Sequence, residues 1–453
     1  MTSIHSTKAL TPDGWHRDVR LTLSGNTIQS IEIGVAAHEQ DERHAILLPG
    51  MPNLHSHAFQ RGMAGLAERR GPTADSFWSW REVMYGFALS MNPDQMEAVA
   101  AQLYVEMLEA GFTRVGEFHY LHHDTDGRSY TNPAEMAARI ASASNETGIG
   151  LTLLPVFYAH SGFGGSEPNS GQRRFIHDLD GYQRLLEGAA EALSPLDRAV
   201  LGIAPHSLRA ATPDELAALM IMAPNGPVHI HISEQIKEVE DCLQWCGRRP
   251  VEWLLDHLPV NDRWCLIHAT HMSPTETANM AKSGAIAGLC PITEANLGDG
   301  IFPAEAFLKA GGKFGVGSDS NVQIGVADEL RQLEYSQRLQ HQRRNVLANP
   351  GQSNGMVLFN GAVEGGAAAL GFKQTGLTVG AGADFITLNA NHISLAGRDD
   401  DHIIDSFVFH AGNALIDCVW SNGKKRVSGG VHHNREGIAQ RFRAVMREFQ
   451  SRI

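Results

Sequence analysis

Cysteine is scarce in this 453-residue chain: Cys242, Cys246, Cys265, Cys290 and Cys418 are all there are. Five scattered thiols exclude a disulfide framework for a protein of this length. Cys242 and Cys246, four apart, fall on one face of an expected helix and read as inert packing. Long apolar runs are missing too, and no stretch approaches the ~18–20 consecutive apolar residues of a spanning helix. The opening MTSIHSTKALTPDG lacks the basic-then-apolar layout of a signal peptide. Basic residues are outnumbered by acidic ones, 37 to 50, which gives a formal net charge of −13. This balance argues against nucleic acid and anionic membrane as partners, since phosphates attract basic patches. It still permits an anionic small molecule held by a few local arginines. The expectation is a cytoplasmic protein, with a homodimer left open.

What the chain does have is enough apolar material for a sizeable core, 43% hydrophobic against 19% charged. Its length suits two or three ordinary domains, or one large barrel with an appendage. The unusual abundance is histidine, 23 residues, which turns attention to metal chemistry.

Both ends of the chain read as β-structure. Val19, Leu21 and Leu23 alternate up to a Gly25-Asn26 turn, and Ile31 and Ile33 resume the alternation. Ile416, Cys418 and Trp420 alternate up to Asn422-Gly423, a type I′ hairpin signal. Asp384–Leu388 is a further strand candidate. The middle instead alternates short apolar strands with helical patterns, the mark of parallel βα units. Eight strands are predicted: Ile46–Asn53, Thr113–His119, Leu151–Phe157, Leu201–Pro205, Val228–Ile232, Trp264–His268, Ala285–Leu289 and Lys313–Gly317. Helical periodicity marks Pro93–Ala110, Pro133–Thr147, Pro213–Met222 and Lys237–Leu258. The fold class is therefore α/β, a (β/α)8 TIM barrel with a small β-sandwich formed from both chain ends. The boundaries are 1–46 and 373–435 for the sandwich, 47–372 for the barrel and 436–453 for a C-terminal helix.

Nearly every predicted strand ends in a residue suited to chemistry. His55 and His57 follow the first strand, His119-Tyr120 the second, His206 the fourth, His231 and Glu234 the fifth, His268 the sixth and Asp319 the eighth. Barrel enzymes build their sites at these C-terminal strand ends. His55-Ser56-His57 puts two imidazoles on one face of an extended chain, within reach of one ion. Adding His231 and Asp319 makes three nitrogens and one carboxylate oxygen, a set suited to Zn²⁺, with Fe²⁺ and Mn²⁺ as alternatives. Spacing alone leaves His229 and His231 both open as ligands. His231 lies nearer the strand end and is preferred, with His229 deeper and hydrogen-bonded. His122 and His123 read as loop residues.

On these motifs residues 46–320 resemble the amidohydrolase superfamily of metal-dependent barrel hydrolases. The run Leu48-Pro49-Gly50-Met51-Pro52-Asn53-Leu54-His55-Ser56-His57 and the run Gly317-Ser318-Asp319 look like its signatures. The fourth strand ends Ala204-Pro205-His206-Ser207, without the bridging lysine of binuclear members. With His231-Ile232-Ser233-Glu234, that is similar to the mononuclear deaminase branch, where the glutamate carries protons. His57-Ala58-Phe59-Gln60-Arg61, Phe77-Trp78-Ser79-Trp80-Arg81 and His206-Ser207-Leu208-Arg209 resemble the members that hydrolyse N-formimino-L-glutamate in histidine degradation.

The resemblance implies one Zn²⁺ per subunit on His55, His57, His231 and Asp319. It implies catalytic roles for Glu234, His268 and Asp319, and a substrate pocket lined by Gln60, Arg81, Tyr120, His206 and Arg209. A small dicarboxylate fits the two arginines, since guanidinium groups pair bidentately with carboxylates. Arg81 and Arg209 are expected in loops, and Trp78 and Trp80 in packing. The implied reaction yields N-formyl-L-glutamate and ammonia. The alternatives are a deaminase of a guanine- or cytosine-like ring and a metal-binding scaffold without catalysis.

Overall fold

In the computed structural model, which describes residues 2–70, 76–223 and 225–450, the two chain ends share one sheet. Its strands are β1 (Thr2–Thr11), β2 (Gly14–Ser24), β3 (Thr27–Ile33) and β4 (Glu42–Pro49). The chain then enters the ring strands β5 (Met51–Ser56), β6 (Phe112–His119), β7 (Gly150–Phe157), β8 (Val200–Leu201), β9 (Ala204–Pro205), β10 (Val228–Ile232), β11 (Trp264–His268), β12 (Ile286–Leu289) and β13 (Lys313–Val316). It returns to the first sheet as β14 (Phe385–Leu388), β15 (Ile416–Ser421), β16 (Lys424–Ser428) and β17 (Val431–His432).

The terminal sheet is continuous and eight-stranded, in the order β17-β16-β15-β14-β4-β1-β2-β3. One seam joins its halves: β14 lies antiparallel to β4, with Ile386 opposite Leu48. Val19, Leu21 and Leu23 are buried in its own apolar cluster with Phe385 and Trp420, as the period-2 alternation requires. The Asn422-Gly423 turn has φ of 50° and 73°, the doubly left-handed backbone of a type I′ hairpin. β1, which pairs with both β2 and β4, has no counterpart among the strands predicted from the sequence.

The ring strands are all parallel. β5 to β8 form one run and β10 to β13 another, with β9 paired to β7. Parallel bridges Ser56–Asp319 and Ile203–Val228 join the two runs at both edges and close the ring. This is a TIM-barrel-like α/β fold, with its fourth position broken into β8 and β9.

Two predicted elements are corrected. The first barrel strand, expected over 46–53, is two strands: residues 46–49 pair with β14, and the ring begins at Met51. Gly50 is the joint. Its N–H bonds Asp384 O at 3.1 Å, and a Cβ there would run into the Thr113 side chain. The helix expected over Lys237–Leu258 is also two, Ile236–Cys246 and Pro250–His257. Gly247, left-handed at φ 74°, ends the first, and Pro250 starts the second. The C-terminal helix runs Arg435–Gln450, and residues 451–453 of the expected span lie outside the described residues. It packs on the helix Pro93–Glu109, where Gln95 Nε2 donates to Glu448 at 2.8 Å.

Candidate active site

The ladder that closes the barrel also assembles the ligand cluster. His57 N–H donates to Asp319 O, and Asp319 N–H to His55 O, both at 3.0 Å. These reciprocal bonds hold Asp319 against the His-x-His pair. The approach is close, since a Cβ on Gly317 would stand 2.7 Å from His55 O. A side-chain chain reinforces it: Asn53 Nδ2 donates to Ser318 Oγ at 2.7 Å, Ser318 Oγ to Asn321 Oδ1 at 2.6 Å, and Asn321 Nδ2 to His57 O at 3.0 Å. Ser233, His268, Ala269, Asp319 and Asn321 all have φ between 45° and 67°. Such strain in non-glycine residues persists only where the surroundings impose it, and it gathers at functional sites.

His55, His57, His231 and Asp319 each offer one ligand atom within 4.8 Å of the others, and all four are buried. Asp319 Oδ1 lies 3.2 Å from His57 Nε2 and 3.4 Å from His55 Nε2, and the Nε2 atoms of His55 and His231 are 3.0 Å apart. His57 and His231 donate Nδ1–H to the carbonyls of Phe118 (2.8 Å) and His206 (3.1 Å), which orients the rings with Nε2 toward the cluster. Burial lowers the His55 pKa to about 3 and leaves the ring neutral, against the opposing pull of the Asp319 bond. Burial alone would raise the Asp319 carboxyl, but His55 and His57 hold it well below the usual carboxylate range. Three imidazoles and an ionised carboxylate converging on one point are the donor set a divalent ion takes. His229 is not among them: its Nε2 bonds Ala369 O at 2.7 Å.

Beyond the ligands, His268 Nε2 lies 3.8 Å from Asp319 Oδ2 and 3.9 Å from Glu234 Oε1, while its Nδ1 meets Glu294 Oε1 at 3.3 Å. Burial opposes charge on this ring, yet Glu234, Glu294 and Asp319 outweigh it and raise its pKa to about 10. Burial pushes Glu234 up to about 7 against the pull of His268 and Arg209. The pair places a proton acceptor and a proton donor side by side over the ligand cluster.

All five residues assigned to the substrate pocket line the cavity above this cluster. Gln60 donates to Tyr120 Oη at 2.8 Å, and its buried Oε1 has no partner. Arg209 is buried with Nε unpartnered. Arg81 is in the helix Phe77–Ala88 rather than a loop, because Ser76 and Ser79 form a capping box that starts a helix there. Its guanidinium lies 4.8 Å from the Trp78 ring and 5.3 Å from that of Tyr85. Trp80 lines the cavity, whereas Trp78 stacks under Arg81. His122 and His123 are in a loop, as expected, and are buried.

Sequence reasoning missed Tyr85, Tyr158 and Glu294. Tyr158 directly follows β7, and Glu294 lies five residues past β12. The rule that found the other site residues, a polar side chain just after a barrel strand, reaches Tyr158 when applied to the third strand, whereas Glu294 and Tyr85 lie inside the helices Pro291–Leu297 and Phe77–Ala88 and outside that rule.

A TIM-barrel-like ring with a cluster that could hold a metal ion at its C-terminal rim is the architecture of a barrel hydrolase. The chain belongs to the amidohydrolase family, whose profile matches residues 46–426. Residues 1–45 match the profile described as formimidoylglutamate deiminase HutF, N-terminal domain. The chain is 49% identical to the formimidoylglutamate deiminase of Pseudomonas aeruginosa, over 99% of both chains. It is 27% identical to the 5-methylthioadenosine/S-adenosylhomocysteine deaminase of Natronomonas pharaonis, over 85% of this chain and 84% of that one. Among solved structures, an amidohydrolase from Brucella melitensis superposes with a TM-score of 0.97 at 60% identity, over 99% of both chains. A mutant of the atrazine chlorohydrolase of Arthrobacter aurescens, solved with zinc and atraton, shares the fold at a TM-score of 0.84 and 20% identity, over 98% of this chain and 100% of that one.

Proposed function

We propose that this chain hydrolyses N-formimino-L-glutamate to N-formyl-L-glutamate and ammonia, a step of histidine degradation. The observation that carries the reading is the pairing of Arg81 and Arg209 in one cavity directly over the ligand cluster. Two guanidiniums match the two carboxylates of a glutamate-derived substrate. The 49% identity to the formimidoylglutamate deiminase favours this reading over the alternative of a guanine- or cytosine-like ring.

His55, His57, His231 and Asp319 are the residues that would hold one divalent ion, which we take to be Zn²⁺. Such an ion, when bound, supplies Lewis acidity and hydroxide from water near neutral pH. The chain's own groups do the rest. Arg81 and Arg209 hold the glutamate end outward, with Gln60, Tyr120 and His206 bounding the formimino end. Asp319 takes the proton of the attacking water, and His268, positively charged between three carboxylates, stabilises the negative charge that develops at the reacting carbon. Glu234 delivers a proton to the terminal nitrogen. The nitrogen that is protonated leaves, so ammonia departs and the amide to glutamate survives.

The apolar cluster of the terminal sheet, Leu47 and Phe385 included, supports reading the two chain ends, expected over 1–46 and 373–435, as one small β domain that runs on through β4 to Pro49 before the barrel begins.

The test is to incubate the protein with N-formimino-L-glutamate and, in parallel, with adenine-, guanine- and cytosine-type compounds, and to measure ammonia. Ammonia and a formyl proton resonance in equal amounts are expected from the first alone. Free glutamate with formamide as first products would overturn the proton-delivery scheme, and turnover of a ring compound alone would overturn the substrate.

A further inference from the structure

We infer that Glu238 is the positioning residue that sets the aim of Glu234, by clamping the backbone turn from which Glu234 projects. The inference rests on the function proposed above and adds a residue that neither the metal cluster nor the substrate pocket contains.

The geometry is specific. Glu238 is buried, and its two carboxylate oxygens accept separate backbone amides: Oε1 that of Ser233 at 3.2 Å and Oε2 that of Glu234 at 3.1 Å. Ser233 is the residue between β10 and Glu234, and its φ of 51° puts it in the left-handed region, where a serine is strained. That turn redirects the chain between the last residue of β10, Ile232, and Glu234, so it decides where the Glu234 carboxylate points. A strained turn needs something to hold it, and the paired amides of Ser233 and Glu234 are held by Glu238.

Glu238 sits in the first turn of the helix Ile236–Cys246, whose N-cap residue Gln235 makes no side-chain cap bond. A glutamate at this third helical position ordinarily reaches back to the N-cap amide. Here it reaches one and two residues further, to the turn itself. The helix start thereby becomes part of the catalytic framework. Its positive end also favours two carboxylates nearby, which eases the burial of Glu238 beside Glu234.

Substituting the isosteric amide separates this role from simple packing. A glutamine fills the same space, but it has one acceptor oxygen for two amide donors, and its NH2 faces one of them. The turn then relaxes and Glu234 drifts from the departing nitrogen. A misplacement of about 1 Å costs up to roughly 100-fold in rate. Glu238 does not line the substrate cavity, so KM does not rise when its charge is removed.

The experiment is a double-mutant cycle on the metal-loaded enzyme with Glu238→Gln, Glu234→Gln and the pair, reading kcat, KM, bound metal and melting temperature. The expected result for Glu238→Gln is a kcat loss of roughly 10- to 100-fold, with KM level or lower and metal content unchanged. In the Glu234→Gln background the same change should do almost nothing, because the residue it positions is already disabled. Wild-type kcat in Glu238→Gln overturns the inference. So does an undiminished effect in the Glu234→Gln background, or loss of metal in step with activity. Should Glu238→Gln fail to fold, Glu238→Asp goes through the same cycle, since its shorter carboxylate reaches one amide at most. A wild-type enzyme that releases no ammonia from formiminoglutamate sinks the proposed function as well, whereas normal wild-type turnover with an additive cycle sinks this inference alone.

Discussion

His229 and His231 stand two residues apart on one strand and meet different fates: His231 Nε2 faces His55 Nε2 at 3.0 Å, while His229 Nε2 is tied to Ala369 O at 2.7 Å. Their substitution should separate metal binding from stability. His231→Ala should lose the metal, read by elemental analysis of the purified protein. His229→Ala should keep it and unfold more easily, by about 1–3 kcal/mol, because a buried carbonyl loses its donor. Urea denaturation measures the difference, and metal loss in both variants would mean that the ligand set is wrong.

Glu234→Gln should bind metal as the wild type does and yet release almost no ammonia. Its carboxylate touches none of the four converging donors but lies 3.9 Å from His268 Nε2. Equal metal content with unchanged turnover would remove Glu234 from the proton path.

Removing either guanidinium should be costly. A lost charged hydrogen bond is worth ~1.5–3 kcal/mol, so Arg81→Ala and Arg209→Ala should each lower kcat/KM by roughly 10- to 150-fold. N-formimino-aspartate, one methylene shorter, should react more slowly than the natural length. Near-normal kcat/KM in the double variant would refute a dicarboxylate pocket.

Stripping the protein with a chelator should abolish activity, and about one equivalent of Zn²⁺ should restore it. A requirement for two equivalents would contradict a single-ion site.

Acid should weaken the terminal sheet through Asp41. Burial would raise this carboxyl, but Ser3, the His38 amide at 2.7 Å and Arg20 at 3.0 Å hold it down to about 2. A carboxyl whose folded pKa is depressed contributes stability above its unfolded pKa and loses it as pH falls toward the folded one. Between pH about 4 and about 2 the protein should therefore lose about 2 kcal/mol from this group. Asp41→Asn should be less stable at neutral pH by at least that amount and should lack this part of the acid dependence. Denaturation curves across the pH range make the comparison.

Much of the site is legible in the chain because ligand chemistry restricts residue type and barrel geometry restricts position. The ends of β5, β10, β11 and β13 carry His57, His231, His268 and Asp319 at or just beyond them, where an apolar run stops and a polar residue begins. Six of the eight predicted barrel strands match observed ones to within a residue at each end. The misses have physical causes. Leu47, Leu48, Met51 and Leu54 are all buried, so nothing in their polarity marks the change of sheet at Gly50. Arg81 belongs to a helix set by a serine capping box, a local signal overshadowed by the aromatic cluster around it. Glu238 carries no chemical motif; only the direction of the turn at Ser233 shows what its carboxylate holds.

The seam between β4 and β14 bears on how the protein is made. A ribosome delivers the first four strands long before the strands that complete their sheet, so the amino-terminal portion leaves the exit tunnel with an open edge on β4. Pairings between residues so distant along the chain form slowly and leave strand edges exposed meanwhile. The barrel, by contrast, is built largely from neighbours in sequence and can assemble as it emerges. Completion of the terminal sheet is then a late event, and until β14 arrives the edge of β4 is open to pairing with other chains.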